Sequence, residues 1–145
     1  MPHRPIIKVI QQRDFAVAPE GISVREAAQR MKRARQGALA IIDSHGRLTG
    51  ICTERDLSFK VVAEGLSAEG TPVGDIMTLN PVSISPEKPF GHALHLMFEG
   101  GFRHMPVVDP QGRPIGMISA RDALGLEMLQ LHSELQLREE IAEIL

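Results

Sequence analysis

Residues 31–56 align with residues 97–122 at a constant offset of 66, without a gap. A chain that carries one unit twice must bury two similar faces, which restricts its fold more than composition does. Seven positions are identical: Met31/Met97, Asp43/Asp109, Gly46/Gly112, Arg47/Arg113, Gly50/Gly116, Arg55/Arg121 and Asp56/Asp122. Elsewhere chemical character is kept. Ile41-Ile42 meets Val107-Val108, Ile51-Cys52 meets Met117-Ile118, and Thr53 meets Ser119. Upstream, Ala18-Pro19-Glu20 matches Ser85-Pro86-Glu87 with one residue inserted. This offset exceeds the short solenoid periods, so the chain reads as two duplicated subdomains rather than an array.

Each unit reads as strand–helix–strand–strand–helix. An extended start (Phe15–Ala18; Val82–Ser85) runs into Pro-Glu. A helix follows over Val24 to about Arg35, and again over Phe90–Glu99. Val24, Ala27, Ala28, Met31 and Phe90, Leu94, Met97, Phe98 fall at helical spacing. Short apolar strands (Ala38–Ile42; Met105–Val108) lead through Asp-Ser-His-Gly-Arg and Asp-Pro-Gln-Gly-Arg hairpin turns. Second strands (Leu48–Cys52; Ile115–Ile118) then run directly into helices at Thr53 and Ser119. Such a small sheet has one face covered by its own helices and one face bare. Pairing two units sheet to sheet buries both bare faces. The expected fold class is therefore α/β (α+β), with two pseudo-symmetric subdomains and Ile41, Ile51, Val107 and Ile118 buried. The units are placed at 8–65 and 81–125, joined by a linker at 66–80 with a turn at Val73–Met77. A helical extension occupies 126–145.

Composition narrows the function. Of 145 residues, 43% are hydrophobic, enough for a sizeable core. Sixteen basic residues face eighteen acidic ones, for a formal charge of −2, which leaves no footprint for nucleic acid, membrane or acidic substrates. Tyr and Trp are absent, which argues against a stacking surface for single strands. Cys52, the only cysteine, lies in an apolar run and reads as a small core residue; one cysteine excludes an internal disulfide or a thiolate-rich zinc site. Met1–Gln12 has no apolar stretch of signal-peptide length, and no segment is long enough to span a bilayer. A cytoplasmic setting is the expectation.

The junctions Gly50-Ile51-Cys52-Thr53-Glu54-Arg55-Asp56 and Gly116-Met117-Ile118-Ser119-Ala120-Arg121-Asp122 are the most informative stretches. Two readings stay open. A Thr or Ser followed three residues later by an acid is a helix capping box that needs no ligand. Alternatively, a helix N-terminus aims free N–H groups at an anion, with the hydroxyl and Arg adding to a phosphate site. The first-turn carboxylate suits a vicinal diol. Hydroxyl, Arg and Asp together match a ribose phosphate, and the arrangement occurs twice.

These junctions resemble the signature of CBS domains, named for cystathionine β-synthase. Val73-Gly74-Asp75-Ile76-Met77-Thr78 is similar to the lead-in to the second domain of bacterial CBS pairs, and Arg103-His104-Met105-Pro106-Val107-Val108-Asp109 to the family's second-domain strand. The resemblance covers about residues 8–125. It implies a pair of domains with two clefts between them that take AMP, ADP, ATP or S-adenosylmethionine. The motif Asp would hold the ribose, and Thr or Ser with nearby basic residues the phosphate. One cleft would combine Thr53, Arg55 and Asp56 with Arg103, His104, Ser85 and Pro86. The other would combine Ser119, Arg121 and Asp122 with Ala18, Ile22, Gly37 and Ala38. Because Gly37-Ala38 stands where the second unit has Arg103-His104, the Asp56 cleft is expected to prefer the more anionic ligand.

Other features carry less. His92 and His95 sit three apart on a helix with no Cys nearby and read as solvent-exposed, so no metal site is expected. His104 is open between a cleft role and a packing role. No Walker loop or Ser-His-Asp arrangement is present, so neither a catalytic residue nor a cofactor is assigned. Glu139, Glu140 and Glu143 read as a solvated helix face. Leu124, Met128, Leu131 and Leu135 form a stripe that Arg138 breaks, which argues against a sustained coiled coil. With Leu126, Leu129, Leu137, Ile141 and Ile144 they leave a helix with apolar residues on more than one face. The expected solution is a homodimer using residues 122–145. The resulting expectation is a non-catalytic sensor of an adenine nucleotide, signalling through a protein partner or an assembly change. The alternative is an interaction module with empty clefts.

Overall fold

A computed structural model describes residues 3–144. The side chains of Leu126, Glu127 and Leu129 lie outside the described residues, and with them the placing of Leu126 and Leu129 on an apolar face.

In the first unit, β1 (Ala16–Pro19) lies parallel to β2 (Ala38–Ile42), which pairs antiparallel with β3 (Leu48–Thr53). The crossover between β1 and β2 is α2 (Val24–Ala34). Its N-terminus is capped by the Ser23 hydroxyl, which accepts from Glu26 N at 3.1 Å, and its C-terminus ends on Arg35 at φ 54°. The hairpins explain why Asp-x-x-Gly-Arg recurs. Asp43 Oδ1 accepts from the backbone N–H of His45 and Arg47 at 2.8 and 3.0 Å, and Asp109 Oδ1 does the same for Gln111 and Arg113 at 2.9 Å each. Gly46 and Gly112 take φ +79° and +82°, which side chains with a Cβ resist. The Arg47 N–H, ahead of the other contacts, holds the Asp43 carboxyl below its usual range.

In the second unit β5 (His104–Val108) and β6 (Pro114–Ser119) form the matching antiparallel pair, crossed by α4 (Phe90–Gly100). The strand expected at Val82–Ser85 is reduced to a single parallel bridge between Ile84 and Val107, with Ile84 N bonded to Pro106 O and Val108 N to Ile84 O. In its place on the other sheet, the linker supplies β4 (Thr78–Leu79), which pairs with β3. After Thr53 the chain makes one α-helical turn, α3 (Glu54–Asp56), and then widens into a π-helical segment over Leu57–Val62. After Ser119 it enters α5 (Arg121–Ile144), a single unbroken helix.

Each unit is completed by the stretch of chain that leads into the other. A short helix α1 (Ile6–Ile10) precedes the first unit but packs on the second, where Ile6 and Ile10 join Ile84, Phe90, Met97, Met105 and Ile118 in one buried cluster. The 3₁₀ turn Val73–Asp75 precedes the second unit but packs on the first, where Val73 and Ile76 join Val24, Met31, Leu39 and Ile41. The backbone bonds repeat pair by pair. Val73 N bonds Ile22 O as Ile6 N bonds Lys88 O, and Val24 N bonds Thr71 O as Phe90 N bonds Arg4 O.

Strand alternation divides the core. Leu39, Ile41 and Cys52 point to the helices of their own unit. Ala38, Ala40 and Ile51 point the other way and meet Met117 in a separate cluster between the sheets. Ile41, Ile51, Val107 and Ile118 are all buried, as expected. Of the four, however, only Ile51 lies in the layer shared by the two units; the others face their own helices. Small residues at Ala38 and Ala40 leave room for the sheets to approach.

Candidate functional site

Both junction motifs lie at strand-to-helix turns; the first is built as a full capping box and the second makes one of its two bonds. At the first, Asp56 Oδ2 accepts from Thr53 N at 2.8 Å and from the Thr53 hydroxyl at 3.2 Å, while Asp56 N donates to Thr53 Oγ1 at 3.3 Å. At the second, Asp122 Oδ2 accepts from Ser119 N at 2.8 Å. Each carboxylate also holds a cation. Lys60 Nζ lies 2.9 Å from Asp56 Oδ1. Arg13 forks onto Asp122 Oδ1 and Oδ2 at 2.7 and 3.0 Å and donates to Met117 O at 2.6 Å. The capping role is thus realised, and a ribose diol at either carboxylate would share it with a resident cation.

Two clefts open beside these turns. The first, of about 610 Å³, brings together Thr53, Arg55, Asp56, Arg103 and His104 as the sequence suggested. Ser85 and Pro86 do not line it: Pro86 O is taken by Ile7 N of α1, on the far side of the second unit. Their place is taken by Thr78, Asn80, Pro81 and Val82 and by Phe59 and Phe102. The fourth strand, which pulls the linker alongside β3, is the reason. Arg55 stacks over Phe59, with its guanidinium carbon 5.4 Å from the ring centre.

The second cleft, of about 1600 Å³, is lined by Ser119, Arg121, Asp122 and Gly37. Ala18 and Ala38 are buried in the core, and Ile22 packs against the first unit's cluster; none of the three lines this cleft. The premise that this cleft lacks the Arg103-His104 pair does not hold, since both side chains line it, and further cations join them. Arg4 reaches it from the residues just before α1, Lys8 from α1, Arg13 from the following loop, and Lys32, Arg33 and Arg35 from the end of α2. The physical reason is the placement of α1 on the second unit. Extending the repeat upstream would have found it, since Ile6–Ile10 stands to the second unit as Val73–Met77 stands to the first.

Arg103 and His104 line both clefts, as does Glu54. A Cβ built on Gly37 would meet the Glu54 carboxyl at 2.9 Å and His104 Nε2 at 3.1 Å, so a glycine there leaves room for both side chains in the partition. His104 thus combines the packing and cleft roles. Burial pushes its pKa below 6.5, against the pull of Glu54 and Asp122 and aided by Arg103.

Cys52 is fully buried, and desolvation, reinforced by the charge of Asp56, pushes its thiol up to about 12; it is an inert core residue. His92 and His95 are exposed, and His95 Nε2 lies 3.1 Å from Glu99 Oε1. Among the described residues no three His, Cys, Asp or Glu side chains cluster to hold a metal, and no helix is long and apolar enough to cross a membrane.

Comparison with known proteins gives concordant results. The family model described as CBS domain matches residues 7–63 and 73–128. A CBS domain-containing protein of Arabidopsis thaliana is 40% identical over 106 residues, 73% of this chain, which spans about a fifth of that relative (19%). An uncharacterized 17.7 kDa protein of Acidianus ambivalens is 34% identical over 119 residues, 82% of this chain and 70% of the relative. Among solved structures, the CBS domain pair of protein MJ0100 in complex with 5-methylthioadenosine and S-adenosyl-L-methionine superposes with a TM-score of 0.79 at 26% identity, covering 89% of this chain and 99% of that one. A CBS domain protein of Pyrobaculum aerophilum complexed with AMP gives 0.76 at 25% identity, covering 88% and 99%.

Proposed function

The chain belongs to the CBS-domain family, and from that premise we propose that it is a regulatory module binding an adenine nucleotide or S-adenosylmethionine between its two units. The observation that carries this reading is the doubled strand-to-helix turn, each with a hydroxyl, an Arg and a buried or half-buried Asp at the edge of a cleft. The narrower cleft combines apolar walls from Phe59, Phe102 and Val82, suited to a purine, with Thr53, Asp56 and Asn80 for a ribose. Ligands of this class in two structural relatives support the reading.

Binding rather than reaction is proposed: the clefts offer no paired nucleophile and base, and Cys52 is held protonated out of reach. Occupancy would be reported by altered contacts at the Asp56–Lys60 and Asp122–Arg13 pairs, which tie the turns to neighbouring segments, and passed to a protein partner or an assembly change. We place the two ligand-binding units at 8–65 and 81–125, with a linker at 66–80 and an extension at 126–145, in a cytoplasmic protein. Calorimetric titration of the full chain with AMP, ADP, ATP and S-adenosylmethionine tests the reading. Saturable binding of one of them, weakened by about ten- to a hundredfold in Asp56→Asn or Asp122→Asn, is the expected result. Absence of binding by all four would leave the interaction-module alternative.

A further inference from the structure

The wide cleft beside Asp122 carries a cation set that a nucleoside monophosphate does not use up. Arg4 and Lys8 come from the N-terminal segment, Lys32, Arg33 and Arg35 from the end of α2, and Arg121 from the start of α5. None of the six has a carboxylate partner among the described residues, whereas Arg13 in the same cleft is already neutralised by Asp122. Two other carboxylates, Asp14 and Glu54, line the wall and leave a clear positive excess. The negative end of the α2 dipole accounts for cations at Lys32 and Arg33. It does not account for cations converging on the same space from two other elements. Like charges gathered in a cleft raise its potential and repel one another, a cost that an anionic ligand removes.

We propose that this cleft selects a polyphosphate chain, so that it takes a nucleoside triphosphate in preference to a monophosphate. The phosphate preference deepens the adenine-nucleotide reading and rests on it for the base and ribose alone. The chemistry recognised is the chain itself: a triphosphate brings about four negative charges near neutral pH and a monophosphate about two. The cleft's volume of about 1600 Å³ exceeds what a single drug-sized ligand fills, leaving length for the chain. The narrower cleft, with Arg55 stacked on Phe59, has no comparable excess and is predicted to discriminate little.

The test is calorimetry on the full chain with AMP, ATP and inorganic triphosphate, at low and moderate salt. Wild type should bind ATP at least about tenfold more tightly than AMP in the selective cleft, with the ratio shrinking as salt rises. Inorganic triphosphate should displace ATP there. Lys32→Gln/Arg33→Gln should cut the ATP preference by about tenfold while moving AMP less than about threefold. Arg4→Gln/Lys8→Gln repeats the measurement from a different element, so that loss of one fold does not end the test. Arg138→Gln, on α5 away from both clefts, should leave the ratio unchanged. Equal affinity for AMP and ATP, or equal weakening of both in the two double variants, overturns the proposal while the nucleotide reading stands. Triphosphate binding that the double variants abolish, with no binding of AMP or ATP, upholds the anion site and removes the adenine reading. Absence of triphosphate binding overturns the proposal.

Discussion

At the scale of single residues, the glycines that open the junction motifs are fixed by what approaches them. A Cβ on Gly116 would come within 2.7 Å of Ile10 Cδ1 and 3.0 Å of Ile10 Cβ; one on Gly50 would meet Met77 Sδ at 2.6 Å and Thr78 O at 3.1 Å. Each thus admits the segment that leads into the other unit. Gly116→Ala should cost about 1–3 kcal/mol in denaturant unfolding. Ile10→Ala should cost more on its own, yet the two losses should combine to less than their sum, since removing Ile10 relieves the clash. The repeat alignment exposed both glycines, but their partners lie far along the chain, so the reason was not legible. His104 makes a second prediction. Its folded pKa lies below 6.5, so the unfolded chain takes up the proton first as pH falls. The contribution is therefore intact above about pH 6.5 and lost progressively below it. Unfolding midpoints followed from pH 8 to pH 5 should fall less steeply in His104→Asn than in wild type. Parallel curves would remove His104 from the account.

At the scale of elements, helices and strands with a strong apolar period were legible almost to the residue. The hairpins were too, because Asp and Gly there satisfy local backbone demands. Two short elements were not. β4 has both residues exposed and no apolar period, so only its pairing with β3 defines it. Helix α1 spans five residues, too few to show a face, and is held by tertiary burial rather than propensity. With it went the cations of the wide cleft. Likewise Asp56 and Asp122 were legible as motif residues; Lys60 stands at the i,i+4 spacing of an ordinary helical ion pair and was open to reading, whereas Arg13 lies over a hundred residues from Asp122 and was not. Because Ile6 is fully buried in the second unit's core, Ile6→Ala should cost about 2–5 kcal/mol, and deleting residues 1–12 should expose that core to dye binding. A truncated chain with an unchanged melting temperature would show that α1 contributes nothing to the second unit.

At the scale of the whole molecule, the accessible surface is 9404 Å². A compact monomer of 15.9 kDa exposes about 7,400 Å². The excess of about 2,000 Å² is of the size that a stable interface buries. Much of it belongs to α5, where Leu124, Met128, Leu131, Leu135, Leu137, Ile141 and Ile144 are all exposed. At helical spacing the first four share one side, and the last three turn to another. We expect light scattering to give twice the chain mass at micromolar concentration, and Leu131→Glu/Leu135→Glu to shift it to the monomer. A monomeric wild type would refute this. The reciprocal lead-ins carry a different consequence, for how the protein comes apart. Opening either half withdraws a buried segment from the other, so neither half should melt while its neighbour stays intact. Hydrogen exchange in β2 and in β5 should therefore report one shared opening free energy. Two fragments made by cutting between residues 64 and 72 should fold only when mixed, each supplying the strap that closes its counterpart.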